Sequence, residues 1–383
     1  MGEKKVIEAS MAVAIAAKLC KPEVIGAYPI TPQTHIVERI ADFVHDGEMD
    51  TELIDVESEH SAISACLGAE ATGARTFTAT ASQGLALMHE ILFITSGMRL
   101  PVVMAVANRA LSAPINIWGD HSDSIAARDS GWIQFYVESA QEALDRIIIA
   151  YKIAENKNIL LPAMVCLDGF TLSHVYEPVD IPSQKEVDQF LPKYSPIHKL
   201  DPKKPVSMGP IGYPNSFMEF KHQQQEAMLN SLDIIKKTHE EFSKKFNRSY
   251  GNGLIEEFMT KDADFAVIAI GTITATARHV VEELRKQGKK VGLIKIKTFR
   301  PFPEKEIIKA TENLKAIAIL DRNISFGQHG TLFSEIKSAL QHKETVVNSF
   351  ICGLGGRDVT LDHIKTAIEK TIESKQTIID WLF

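Results

Sequence analysis

The 383-residue sequence predicts an α/β protein built from two doubly wound domains. Three observations predict it. Short apolar runs of strand length alternate with longer stretches of helical period. Several runs, such as residues 101–106 and 159–167, are apolar almost throughout, as expected of parallel strands covered on both faces by crossover helices. The alternation breaks once, over a proline-rich stretch at 178–216, and then resumes.

An Ala-rich segment over 7–20 predicts the first helix, and Val24–Ala27 the first strand. Pro29 and Pro32 fix φ and remove two backbone donors, so that strand must stop and turn. A helix is expected after Thr31, with Pro32 in its first turn. Leu53–Val56 reads as the next strand, followed by an Ala- and Gly-rich, closely packed helix from Ser58 to Gly73. Thr76–Thr80 is a strand, and Ser82-Gln83-Gly84 opens a helix that runs to Gly97. The buried strands at 101–106 and 159–167 complete the first unit.

Residues 178–216 hold eight prolines and little periodicity. Met208, Ile211, Tyr213 and Phe217 make the stretch too apolar for a solvated tether, so an ordered arm is expected. A polar helix from Lys221 to Phe246 follows, with Lys236-Lys237 and Glu240-Glu241 at helical spacing, and is expected to bridge the domains. The first domain is placed at 1–255, the second at 256–383. In the second, strands are expected over 265–272, 291–296, 316–321 and 346–351, with a helix over Thr276–Gln287 that Gly288 stops.

Hydrophobic residues are 45%, charged residues 24% and the net charge is −7, which argues against a nucleic-acid partner. No apolar stretch reaches the ~18 residues that span a bilayer. The N-terminus shows no signal-peptide core, so a cytoplasmic protein is expected. Cys20, Cys66, Cys166 and Cys352 lie far apart in apolar contexts, without a Cys-x-x-Cys. They predict buried thiols, and no metal or iron–sulfur site held by this chain alone.

Ligands of an open parallel sheet bind at the carboxyl ends of its strands. Thr31 lies there after the first strand, Asp55-Val56-Glu57-Ser58-Glu59-His60 after the second, and Asn108-Arg109 after the strand at 101–106. A hydroxyl, a carboxylate and a guanidinium on one rim suit a small carboxylate substrate beside a cofactor. Carboxylates are favoured at helix N-termini, but Asp55, Glu57 and Glu59 exceed what a cap needs, so at least one is aimed into the site. Residues 113–123 read as a pocket wall. His121, between Asp120 and Asp123, is either part of a metal-ligand set or a hydrogen-bonded loop residue, and the lack of a second spaced histidine favours the loop. Gly271–Thr276 could hold a phosphate, yet it lacks the Gly-x-Gly-x-x-Gly or Walker lysine, which favours a structural turn. Gly353–Gly356 reads as a tight loop at an interface.

Taken in order, Tyr28-Pro29-Ile30-Thr31-Pro32, Ser58-Glu59, Thr80-Ala81-Ser82-Gln83-Gly84, Asn108-Arg109-Ala110 and Gly119-Asp120-His121-Ser122-Asp123 resemble the alpha subunit of the 2-oxoacid:ferredoxin oxidoreductases, and the pyruvate type most. The resemblance implies a thiamine diphosphate pyrimidine-binding-type domain followed by a transketolase C-terminal-like domain that includes Phe299–Pro303. It implies that Glu59 is the catalytic glutamate that bonds the aminopyrimidine ring, that the backbone around Pro29 and Ile30 holds that ring, and that Thr31 and Arg109 bind the substrate carboxylate. The implied reaction is the reversible oxidative decarboxylation of pyruvate to acetyl-CoA and carbon dioxide, with coenzyme A as co-substrate and ferredoxin as electron acceptor. The sequence has no Gly-Asp-Gly with a following Asn to hold diphosphate and magnesium. The resemblance therefore implies beta, gamma and delta subunits that share the thiamine diphosphate and carry the magnesium and the iron–sulfur clusters, and a chain inactive in isolation. Branched-chain 2-oxoacids or 2-oxoglutarate are the alternative substrates. A non-catalytic scaffold or ferredoxin-docking subunit, or a nucleotide-binding module at the Gly271 turn, are the alternative functions.

Overall fold

The computed structural model describes residues 2–383. The chain begins with strand β1 (Glu3–Glu8), helix α1 (Ala9–Cys20), β2 (Val24–Ala27), α2 (Thr34–His45), β3 (Glu52–Asp55), α3 (Glu59–Thr72) and β4 (Thr76–Thr80). It continues through α4 (Ser82–Leu87), α5 (His89–Gly97), β5 (Val103–Asn108), α6 (Ser122–Ala126), β6 (Ile133–Tyr136), α7 (Ala140–Ala154) and β7 (Ala163–Asp168). A connecting region holds β8 (Tyr176–Ile181), α8 (Gln184–Phe190) and the 30-residue helix α9 (Phe217–Phe246). The last stretch is β9 (Ile255–Phe258), β10 (Phe265–Ile270), α10 (Ile273–Lys286), β11 (Val291–Ile296), β12 (Thr298–Arg300), α11 (Glu304–Ala310), β13 (Ala316–Asp321), α12 (Thr331–Ala339), β14 (Val346–Ile351), α13 (Leu361–Glu373) and β15 (Ile379–Trp381).

Strand order fixes where each sheet can bind a ligand. The first sheet runs β12-β6-β7-β5-β4-β2-β3, parallel except for β12. From β2 the chain moves outward to β3, then returns across β2 to β4 and continues the other way. Helices α1, α2 and α7 pack on one face, and α3 to α6 on the other. The order therefore reverses between β2 and β4, and the loops after these two strands open a crevice at the carboxyl edge. The second sheet runs β15-β14-β13-β10-β11-β9, with β9 antiparallel, and its order reverses between β10 and β13.

Small residues bring α3 close to the first sheet. A Cβ on Gly26 would be driven into the Ala62 carbonyl of α3, and the Gly26 amide donates to the Cys66 thiol at 3.3 Å. All four cysteines are free and buried.

Several elements differ from the reading of the sequence. The first helix starts at Ala9, because residues 3–8 pair antiparallel with 176–181 in a two-stranded ribbon. Lys and Glu are poor strand formers, so neither half announces itself locally. The stretch at 178–216 is not irregular throughout. It contains most of β8 and all of α8, whose Ser183 and Glu186 form a capping box, and only 191–216 is coil. That coil lies against the body, where the Leu200 amide donates to the Ala71 carbonyl at 2.8 Å. Ile211, Tyr213 and Phe217 are exposed and do not order it. The helix after Thr31 begins at Thr34, and the one after Ser82 divides at Met88. Helix α9 starts at Phe217 instead of Lys221, and Lys236 pairs with Asp233 and with Glu306 of α11 rather than with Glu240.

Strand β12 belongs by sequence to the second half but extends the first sheet beside β6. Next to it, Glu138 meets Lys295 at 2.8 Å and Arg278 at 2.6 Å. Glu142 on α7 meets Lys295 at 2.7 Å and also Lys297. Arg146, fully buried, lies over the Phe135 ring at 4.9 Å. A lattice of opposite charges thus fills the junction of the two halves.

Gly26→Ala should push α3 off β2 and destabilise the protein by about 1–3 kcal/mol, read as a lowered Tm. Burial pushes the Glu138 carboxyl up, but Lys295 and Arg278 outweigh it and bring it from 4.5 to about 2. A carboxyl depressed in this way adds stability above the unfolded value that is lost as the pH falls through the folded one. Glu138→Gln should therefore be less stable than wild type at pH 7, with the gap closing between pH 4.5 and 2 in denaturant titrations. A gap constant over that range would count against the ion pair.

Candidate active site

The crevice between β2 and β4 is bordered first by the turn after β2. Gln33, fully buried, holds that turn. Its amide nitrogen donates to the Ala79 carbonyl at 2.8 Å, and its amide oxygen accepts from the Ile30 N–H at 3.2 Å. The Ile30 carbonyl accepts from the amides of Gln33 and Thr34 at 2.7 and 3.1 Å. Both backbone polar groups of Ile30 are therefore used inside the turn, whereas the Pro29 carbonyl has no partner among the described residues. Nothing in the sequence reading pointed to Gln33. The one available signal was a long amide side chain just past a proline turn.

Thr31 is exposed on this turn, and its carbonyl accepts from Arg109 Nη1 at 3.0 Å. Arg109 Nε donates to the Asn116 carbonyl at 2.9 Å, and the residue is 8% exposed. Its Nη2 has no partner among the described residues, so one edge of the guanidinium is left for a ligand.

Asp123 ties this arginine to the loop after β4. The buried carboxylate accepts from the amides of Arg109 (3.0 Å), Ser82 (2.9 Å) and Ser124 (2.7 Å), and from Asn108 Nδ2 at 2.7 Å. Burial pushes its carboxyl above the usual range, against those hydrogen bonds. The three titratable residues of the 119–123 segment point to different partners. Asp120 accepts from the Ser122 amide at 2.9 Å and the Gly355 amide at 3.0 Å, His121 Nε2 lies 2.6 Å from Asp168, and Asp123 serves β4 and β5. His121 therefore belongs to a hydrogen-bonded loop that leads into α6.

Of the three acids at the end of β3 and just beyond it, Asp55 and Glu57 are exposed, and Glu57 accepts from the Ser61 hydroxyl at 2.5 Å. His60 faces Glu90 at 3.6 Å near the surface. Glu59 alone turns inward. It is the first residue of α3, after the N-cap Ser58, and is 7% exposed. Neither carboxylate oxygen has a hydrogen-bond partner among the described residues. The helix N-terminus favours its charge, yet a carboxylate this buried calls for a hydrogen-bonding partner. Beside it, a Cβ on Gly84 would lie 2.6 Å from Glu59 Oε1, so glycine leaves the carboxylate its space.

At the reversal point of the second sheet the chain supplies an anion of its own. Asp168, at the end of β7, accepts from Arg322 Nη1 at 2.9 Å, from the Thr272 amide at 2.8 Å and from the Thr272 hydroxyl, and it pairs with His121. Burial pushes Asp168 up, but Arg322 and then His121 hold it well below the usual carboxylate range. Gly271, at φ 71°, has no room for a side chain, since a Cβ would meet Asp168 Oδ2 at 2.9 Å. The anion at the N-terminus of α10 is thus the protein's own, and the Gly271 turn is structural. The Gly353–Gly356 loop packs on the pocket wall, with Asn116 Nδ2 donating to the Gly355 carbonyl at 3.1 Å.

Residues 15–240 match the family model described as pyruvate flavodoxin/ferredoxin oxidoreductase, thiamine diphosphate-binding, and residues 263–364 match pyruvate:ferredoxin oxidoreductase core domain II. Pyruvate synthase subunit PorA of Methanocaldococcus jannaschii is 56% identical over 384 residues, covering 100% of this chain and 98% of the relative. The PorA of Pyrococcus furiosus is 52% identical, covering 96% and 93%. Ketoisovalerate oxidoreductase subunit VorA of Pyrococcus abyssi is 46% identical, covering 97% and 95%. Among solved structures, the 2-oxoglutarate:ferredoxin oxidoreductase of Magnetococcus marinus superposes with a TM-score of 0.71 at 19% identity. That match covers 95% of this chain and 65% of the other, so this chain spans just under two thirds of that chain's length. A split-gene transketolase superposes at 0.52 with 12% identity, over 96% and 98% of the two chains. These two likenesses speak to the fold alone. With most of the chain matched by the family models and full-length relatives above half identity, the chain belongs to the pyruvate:ferredoxin oxidoreductase family.

Proposed function

We propose that the chain is the alpha-type subunit of a thiamine diphosphate-dependent pyruvate:ferredoxin oxidoreductase, which converts pyruvate and coenzyme A to acetyl-CoA and carbon dioxide with reduction of ferredoxin and runs in reverse as a pyruvate synthase. One observation carries the reading. Glu59 is a nearly buried carboxylate without a partner in its own chain, at the open reversal point of the sheet. A ligand that exchanges a proton or hydrogen bond with it fits that place, and the aminopyrimidine of thiamine diphosphate is such a ligand. Thiamine diphosphate, when bound, supplies a carbon nucleophile and an electron sink for loss of the carboxyl group.

The chain's own residues then divide the work. Glu59 exchanges a proton at its carboxylate, whose charged form the N-terminus of α3 favours. The Pro29 carbonyl and the Ile30 segment border the ring. The Thr31 hydroxyl and the free edge of Arg109 take the carboxylate of the 2-oxoacid, for which a guanidinium is geometrically suited. Beta, gamma and delta subunits supply the diphosphate end with its magnesium and the iron–sulfur clusters. The pyruvate-type relatives, at 56% and 52% identity against 46% for the ketoisovalerate type, favour pyruvate as the substrate.

Glu59→Gln in the reconstituted complex should assemble normally and lose about 10²–10⁴-fold in turnover of pyruvate-dependent dye reduction. Unchanged turnover would leave this chain a scaffold. Arg109→Ala should raise KM for pyruvate roughly ten- to a hundred-fold, the loss expected for charged hydrogen bonds, with a smaller effect on kcat. Wild-type complex active only on a branched-chain 2-oxoacid would keep the mechanism and replace the substrate.

A further inference from the structure

Three threonines form a stripe on the face of β4 that packs against α3. Thr76 donates its hydroxyl to Glu70 at 2.7 Å, near the C-terminal end of that helix. Thr78 donates to the Gly26 carbonyl at 2.9 Å. Thr80, last in the stripe, is fully buried, and its hydroxyl has no partner. At that end of β4 the stripe reaches Glu59, which begins α3 about three turns before Glu70. The two groups meet across Gly84. A Cβ on this glycine would lie 2.5 Å from Thr80 Oγ1 and 2.6 Å from Glu59 Oε1. The Thr–Glu pairing already made at Thr76 and Glu70 is thus laid out again at the site, with the bond unmade.

We infer that Thr80 is a positioning residue for Glu59: its hydroxyl takes up the glutamate's inner oxygen and holds the carboxyl in register through the reaction. A hydroxyl suits a partner whose proton comes and goes, because it donates to the carboxylate and accepts from the carboxylic acid. A methyl group does neither, and a lysine ammonium or arginine guanidinium only donates. The absence of a side chain at Gly84 leaves the path between the two oxygens clear. The inference rests on the reading of Glu59 as the proton-handling group.

The test compares Thr80→Val, Thr80→Ser and Glu59→Gln in the reconstituted complex, with kcat and KM followed against pH. A hydrogen bond to the charged form favours that form, so its loss in Thr80→Val should displace the pH profile of kcat from that of wild type. Thr80→Val should also lower kcat roughly ten-fold while leaving KM for pyruvate in place, as expected for lost acid–base efficiency, and Thr80→Ser should restore both. The titratable groups on the surrounding elements (Glu57, His60, His89, Glu90, Arg109 and Asp123) are the same in every Thr80 variant. If Thr80→Val does not assemble, Thr80→Ala carries the same comparison. A wild-type pH profile in the assembled Thr80 variant, with Glu59→Gln inactive, overturns the role of Thr80 alone. An active Glu59→Gln overturns the reading of Glu59 and Thr80 with it.

Discussion

The carboxylate of Asp168 is the constraint on which the rest of the architecture leans. It ends β7 of the first sheet, yet its partners are Arg322 and Thr272, after strands β13 and β10 of the second. A buried carboxylate with a guanidinium, an imidazole and backbone donors around it is favourable only as a complete set, and losing one member of such a pair costs about 3–5 kcal/mol. Through His121 the same carboxylate anchors the 119–123 loop, and that loop carries Asp123 to the ends of β4 and β5. Two sheets, each with a crevice of its own, thereby become one body, with Glu59 and Arg109 at the crevice between β2 and β4.

That open crevice contains half of a chemistry. It offers a nearly buried carboxylate, a guanidinium nitrogen without a partner among the described residues and an ordered turn, all from this chain. It offers no cluster of three or more metal-ligating side chains among the described residues.

The sequence made the apolar strands and the location of the site legible, because both follow from local pattern: strand-length runs, prolines that stop a strand, and polar residues at carboxyl ends. It narrowed the acids after β3 to three, and the register of α3 turned one of them inward. The missing parts depend on partners far along the chain. The β1–β8 ribbon joins residues 3–8 to 176–181, β12 joins 298–300 to 134–135, and Asp168 meets Thr272 and Arg322. No local periodicity encodes such pairings. Gln33 was invisible for a related reason, since its value lies in bridging two loops that only the strand order makes neighbours.

The placement of β12 bears on how the subunit behaves during turnover. The second half of the chain lends a strand to the sheet of the first, and the Tyr136 amide donates to the Lys297 carbonyl at 2.9 Å next to it. Opening the two halves like a clam shell would tear main-chain ladder bonds and strip the buried lysines of their glutamates at once. This subunit therefore serves as an anvil. Hinge opening between its two halves is thereby closed off, and a chain cut between them would leave the first with a raw sheet edge.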